Sequence, residues 1–218
     1  MMILLFSEAQ ILYAQFFEGT IYYTIDVHYK GDNERHKTYY ETEKFGDTVL
    51  VHVNNEGFLR RDFPGSSADF GVESYIYHPT ENKQYATYRF TDTVYWYVSD
   101  SNYATDFSIL PNCNVETESF NGRTLSCIET TSVDPFSGLP MKSRYFYIPG
   151  MYLINYSAWS NNEDFRQGFI YEMARSNMVK IYLDYGNYEY TMTAIRFEEK
   201  QIDDSVFMLS PDREFKKQ

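Results

Sequence analysis

The 218-residue sequence is short of most features that betray a helical protein, a membrane span or a catalytic centre. Ala and Leu, strong helix formers, are sparse, which argues against a helical bundle. No apolar run approaches the ~18 residues that a membrane-crossing helix needs, and mean hydropathy is −0.50. Basic residues are outnumbered 19 to 31, for a net charge of −12. Such a chain repels phosphate backbones, so no nucleic-acid partner is expected. Only Arg60-Arg61 and Lys216-Lys217 are adjacent basic pairs, so no polybasic patch is present to draw the chain to an anionic membrane surface.

The motifs of familiar chemistry are missing too. There is no GxSxG, and Gly65-Ser66-Ser67 sits in an ordinary loop signal. His28, His36, His52 and His78 form neither HExxH nor a close i,i+4 pair, so no metal site is assigned. The acidic pairs Glu163-Asp164, Glu198-Glu199 and Asp203-Asp204 read as solvated surface, because adjacent residues on a strand point to opposite faces. Without GxGxxG or GxxxxGK no nucleotide cofactor is expected. The chain is read as a non-enzyme with no catalytic residue and no cofactor.

Only two cysteines are present, Cys113 and Cys127, on either side of the turn signal Asn121-Gly122. In an exported protein such a pair suits a disulfide, with two separate thiols as the alternative. Register complicates the bond. A strict two-residue turn at Asn121-Gly122 would set Cys113 opposite Thr130 and turn Cys127 to the other side of the sheet, so bonding requires a bulge or a longer turn.

What the chain has in abundance is aromatic residues, 19% of the total, from 22 Tyr and 17 Phe with 2 Trp. These suit a pleated, half-buried surface. Over residues 17–29 the odd positions Phe17, Gly19, Ile21, Tyr23, Ile25, Val27 and Tyr29 alternate with mostly polar even ones, the clearest strand in the sequence. Further strands are expected over 48–53, 58–63, 71–77, 84–90, 93–99, 114–120, 124–131, 141–148, 168–175, 178–185 and 188–198, with another at 151–158. Residues 34–45 fit either a strand or a short amphipathic helix. Short connections imply antiparallel neighbours, and so many long strands must curl to bury one face. Tyr95-Trp96-Tyr97, Tyr145-Phe146-Tyr147 and Tyr188 with Tyr190 place rings on both sides of their strands, which suits either a cavity mouth or sugar-binding platform or ordinary sheet packing with the polar tips in water.

Residues 1–15, with the apolar Met2-Ile3-Leu4-Leu5-Phe6 and Ile11-Leu12 before Ala14-Gln15, read as a signal peptide, and 16–218 as one β domain without an internal break. The expected address is therefore periplasmic or secreted.

The opening Phe17-Glu18-Gly19-Thr20-Ile21-Tyr22-Tyr23, the central Asn121-Gly122-Arg123-Thr124-Leu125-Ser126-Cys127 and the closing Thr193-Ala194-Ile195-Arg196-Phe197 before Ile202-Asp203-Asp204-Ser205-Val206-Phe207 give the chain a recognisable layout. It resembles exported bacterial domains related to the periplasmic lipoprotein carriers of the Lol type. That resemblance implies an all-β fold whose antiparallel strands curl into an open, incomplete barrel, with helical segments near 34–45 and 159–167 as a lid. It also implies a lipid or other hydrophobic ligand on the concave face, where Ile21, Tyr23, Ile25, Val27, Ile181 and Leu183 are the candidates. The alternative is a secreted interaction module that recognises glycan or protein through exposed aromatics such as Trp96 and Trp159.

Overall fold

The computed structural model describes residues 15–69, 71–101, 104–113, 119–134 and 138–218. The chain begins with β1 (Gly19–Tyr29), then a short helix α1 (Glu34–Thr38) that runs into a π-helical turn, Tyr39–Glu43. A meander follows: β2 (Thr48–Val53), β3 (Leu59–Asp62), β4 (Val72–His78), β5 (Lys83–Tyr88) and β6 (Thr93–Val98). After β7 (Thr105–Pro111) comes a minimal hairpin, β8 (Ser119–Phe120) and β9 (Arg123–Thr124), and then β10 (Ser126–Val133) and β11 (Pro140–Tyr147). A helical crossing comprises two 3₁₀ turns, Tyr156–Trp159 and Asp164–Arg166, and helix α2 (Gln167–Ala174). The chain closes with β12 (Met178–Asp184), β13 (Tyr188–Glu199), a 3₁₀ turn at Asp204–Phe207 and β14 (Glu214–Lys217).

Twelve of these strands form one sheet in the order β14-β6-β5-β4-β3-β2-β1-β13-β12-β11-β10-β7, and its two edges do not pair with each other. The fold is thus mostly β and is not closed into a barrel. Two meanders, β1 to β6 and β10 to β13, meet at one seam, β1 against β13. Neighbours are antiparallel except β14, which runs parallel to β6 after a long connection from β13.

Alternation assigns the faces. Ile21 faces Val51 on β2, and Val51 faces Arg61 on β3; Ile25 faces Met192 on β13, and Met192 faces Ile181 on β12. This inward face holds the main core. Gln84 and Tyr97 from one end of the sheet and Phe107 and Thr130 from the other line a single cavity, so the sheet curls until its ends address one space. On the outward face a smaller cluster of Ile76, Tyr85 and Val94 packs with Trp96 and with Leu209 from the C-terminal segment. Phe207 is buried there against Phe58.

Several expectations need correction. Residues 168–175 form α2, not a strand: the buried residues Ile170, Tyr171 and Ala174 recur at helical spacing. The strand expected at 151–158 is reduced to a single bridge, Leu153 with Ser176, before the 3₁₀ turn. Of the two readings open for residues 34–45, the helical one holds, over Glu34–Glu43. Most of the strand expected at 114–120 lies outside the described residues, as do residues 1–14 of the expected signal peptide.

Cys113 and Cys127 are bonded, with Cα atoms 5.2 Å apart. The register objection is resolved by a change of partner. Phe120 does face Arg123 across a two-residue turn, but that hairpin pairs only two residues a side. From Ser126 the chain joins β7 in another register, with Ile128 opposite Pro111, and the Cys113 N–H donates to the Cys127 carbonyl at 3.2 Å.

Candidate functional site

The crossing between β11 and β12 roofs the concave face. At one end Ser176 Oγ donates to the Ile148 carbonyl (3.2 Å) and Asn177 Nδ2 to the Tyr152 carbonyl (3.0 Å). In the middle Asn155 Nδ2 donates to Asn55 O in the β2–β3 turn (3.1 Å). At the far end the Glu163 N–H donates to Ser99 O (2.7 Å) and Asn82 Nδ2 to Asn161 O (2.7 Å). The roof therefore spans from the second meander to the first and returns through α2. Trp159 is its anchor: 1% exposed, it lies with ring centroids 4.2 Å from Tyr77 and 4.6 Å from Tyr171. Gly168 is required where α2 doubles back, because a Cβ there would meet Trp159 O at 2.3 Å. Phe165 (φ 46°) and Arg166 (φ 55°) are consecutive non-glycine residues in left-handed backbone, a conformation that costs of order 1–3 kcal/mol at each and persists where surrounding structure enforces it.

Between roof and sheet lies a cavity of about 350 Å³. Aliphatic side chains line part of it, among them Met141, Ile170, Met178, Ile181, Leu183 and Met192. The rest is phenolic. Tyr75 and Tyr97 come from the first meander and Tyr171 from α2, while Tyr145, Tyr185, Tyr188 and Tyr190 come from the second meander and its turn. Burial pushes every one of these hydroxyls up, that of Tyr145 to about 12. They stay neutral donors across the physiological range. Among the described residues, the hydroxyls of Tyr185, Tyr188 and Tyr190 find no hydrogen-bond partner in the protein.

Among the described residues, three charged side chains interrupt this wall: Arg61, Lys44 and Asp164. Arg61 stands on the inward face of β3 between Val51 and Tyr75 and reaches the Tyr171 hydroxyl on the roof. Its field also acts on Tyr97, Tyr145, Tyr185, Tyr190 and Asp164, groups drawn from all round the cavity. Lys44 lies over the rings of Phe45, Tyr40 and Tyr188, with Nζ 4.9, 5.0 and 5.5 Å from their centroids. Burial lowers its pKa. Asp164 is only 4% exposed, so the reading of Glu163-Asp164 as solvated surface fails for it. Its Oδ2 accepts from Tyr97 Oη and from Gln84 Nε2, each at 2.8 Å. Burial raises its pKa despite those bonds.

Of the six concave-face candidates, Ile181 and Leu183 line the cavity. Ile21, Tyr23, Ile25 and Val27 share that face but are buried in the core away from the cavity wall, and Tyr23 Oη donates to the Met178 carbonyl. Trp159 is buried, not an exposed recognition residue, and Trp96 is half-buried on the outward face, with Lys83 Nζ 4.9 Å from its ring centroid. Sequence reasoning passed over Arg61 and Lys44, whereas the excess of rings it noted at Tyr97, Tyr145, Tyr188 and Tyr190 falls on the cavity wall. One signal was available: within Leu59-Arg60-Arg61-Asp62-Phe63, Arg61 shares the strand face of two apolar residues.

One other constellation invites a chemical reading. On the outward face Thr20 Oγ1 lies 2.9 Å from His52 Nδ1, and His52 Nε2 lies 3.3 Å from Asp62 Oδ2. The order hydroxyl, imidazole, carboxylate is that of a nucleophile with its base and orienting acid. Thr20, however, is flanked by strands on both sides and 1% exposed, so no substrate carbonyl can approach it. Arg60 completes the group, donating from Nε to Asp62 Oδ1 (2.7 Å) and from Nη1 to the Val206 carbonyl (2.9 Å). The network ties the sheet to the C-terminal segment.

No protein-family model matches the chain, and a search of curated proteins finds no match.

Proposed function

We propose that this is a non-enzymatic, exported binding protein that holds one hydrophobic or amphipathic molecule in the roofed cavity on the concave face. The observation that carries the reading is that cavity: about 350 Å³, with aliphatic and phenolic walls and a tethered roof. Its volume falls at the lower end of the ~300–1,000 Å³ typical of small-molecule sites, with the mixture of apolar lining and few placed polar groups that such sites use. The bonded pair Cys113–Cys127 supports an oxidising address, periplasmic or secreted. An open sheet with helical cover is also the layout that the Lol-type resemblance implies. The reading as a glycan- or protein-binding module has less support, because Trp159 is structural.

The test is native mass spectrometry and solvent extraction of protein purified from its own host, followed by displacement of a fluorescent fatty acid. A co-purifying apolar molecule whose uptake is blocked by Met192→Trp, a substitution that fills the cavity, is the expected result. Absence of bound molecules together with no uptake would overturn the reading.

A further inference from the structure

The cavity wall contains two cations and one carboxylate in a protein whose net charge is −12. Among the described residues neither Arg61 nor Lys44 forms an ion pair. Most of the other basic residues are paired: Lys30 with Asp184 at 2.8 Å, Lys142 and Arg144 with Glu129 at 2.9 and 2.7 Å, and Arg213 with Glu73 at 3.0 Å. With so many carboxylates available, the two inward cations lack a partner because of where they are.

Among the described residues Asp164 is the only acid on the wall, and it forms no ion pair with either cation. Both of its close bonds go to the neutral donors Tyr97 and Gln84, not to either cation. A desolvated cation without a counter-charge is costly and is normally matched or removed. The hydroxyls of Tyr185, Tyr188 and Tyr190 add further donors without protein acceptors. Two cations and several hydroxyls free to donate face one space, an arrangement that suits a group carrying negative charge and several acceptor oxygens. The aliphatic part of the wall, Met178, Ile181, Leu183 and Met192, complements an apolar body.

Building on the binding reading, we infer that the ligand is a small anionic amphiphile, with a carboxylate or phosphate head set against Arg61 and Lys44 and an apolar body along Met178, Ile181, Leu183 and Met192. A cavity of about 350 Å³ admits one such molecule and not a bundle of long acyl chains. The head is held by a cation from the sheet (Arg61), a cation beside the π turn (Lys44) and phenols from the second meander.

The experiment compares dodecanoate, dodecyl phosphate and dodecanol, each below its aggregation threshold, by titration calorimetry on the full protein after removal of bound lipid. Trp159 fluorescence serves as a second readout. At least one anion is expected to bind about tenfold or more tighter than the alcohol, as about 1.4 kcal/mol of charge-assisted bonding gives. Whichever anion leads identifies the head as carboxylate or phosphate. Arg61→Gln should abolish that preference, and Lys44→Gln should reduce it. Should Arg61→Gln not fold, Lys44→Gln and the loss of anion preference at high salt carry the test instead. Equal affinity for all three ligands, unmoved by either variant or by salt, overturns the anionic assignment and leaves the cavity reading standing. No binding of any of the three overturns both.

Discussion

Arg60 and Arg61 are neighbours in sequence and opposites in circumstance. Arg60 points outward and is fully engaged: it grips Asp62, which also meets His52, and it holds the Val206 carbonyl of the C-terminal segment. Arg61 points inward among tyrosines and has no carboxylate partner among the described residues. One strand thus presents a closed polar network on its outer face and an open one on its inner face. The polar capacity of Arg60 is spent within the fold, whereas that of Arg61 is met only by the Tyr171 hydroxyl.

The largest break in this comparison comes from the roof that creates the inner environment. Trp159→Ala should cost about 3–5 kcal/mol, the usual effect of removing a large aromatic from a packed site. Chemical denaturation measures it, and a loss below about 1 kcal/mol would mean that Trp159 does not anchor the roof.

Next come the two carboxylates, whose responses to pH should have opposite sign. Burial alone would raise Asp62, but hydrogen bonds from His52 and Arg60 hold it below the usual carboxylate range. Its contribution is therefore present above the unfolded value of about 3.9 and is lost as pH falls through the lower folded value. Asp62→Asn should cost about 1.5–3 kcal/mol at neutral pH, the range for hydrogen bonds to charged groups. The variant and parent should converge in acid. Asp164 behaves inversely, since burial raises it. Its stabilising contribution is fully present below about 3.9 and is lost as pH rises through the folded value. Asp164→Asn should flatten that decline. Denaturation midpoints between pH 3 and 8 test both, and slopes of the same sign for the two variants would contradict the assignment of faces.

The smallest effect sharpens the contrast most. Arg61→Leu should leave stability unchanged or raise it by up to about 1 kcal/mol, because the substitution removes a charge that no protein carboxylate balances. Arg60→Leu breaks a satisfied network and should destabilise by about 1.5 kcal/mol or more. Comparable losses in both variants would show that Arg61 is a structural residue after all.

The sequence disclosed the faces better than it disclosed the site. Alternation from Phe17 to Tyr29 marked β1 and its inward residues, because a half-buried strand writes its environment at every second position. The edge strands were harder. β7 contains the left-handed Asp106 and ends at Pro111, and β14 is charged and exposed, so neither carries a buried stripe. The segment Gly168 to Ala174 misled because a short run containing Phe169, Ile170, Tyr171 and Met173 fits a buried strand as well as a helix. The cavity depends on residues brought together from distant strands and the roof. Nothing local in Lys44 or Asp164 announces that they share a space with Arg61.

The seam between β1 and β13 has a consequence in time. The first strand to be made lies in the middle of the finished sheet, with Gly19 opposite Glu199. While the chain is incomplete, one long edge of β1 has no permanent neighbour. Contacts so distant in sequence must await the loop closure that brings them together, which slows folding. The cavity, whose walls come from both meanders, requires that closure before it can form.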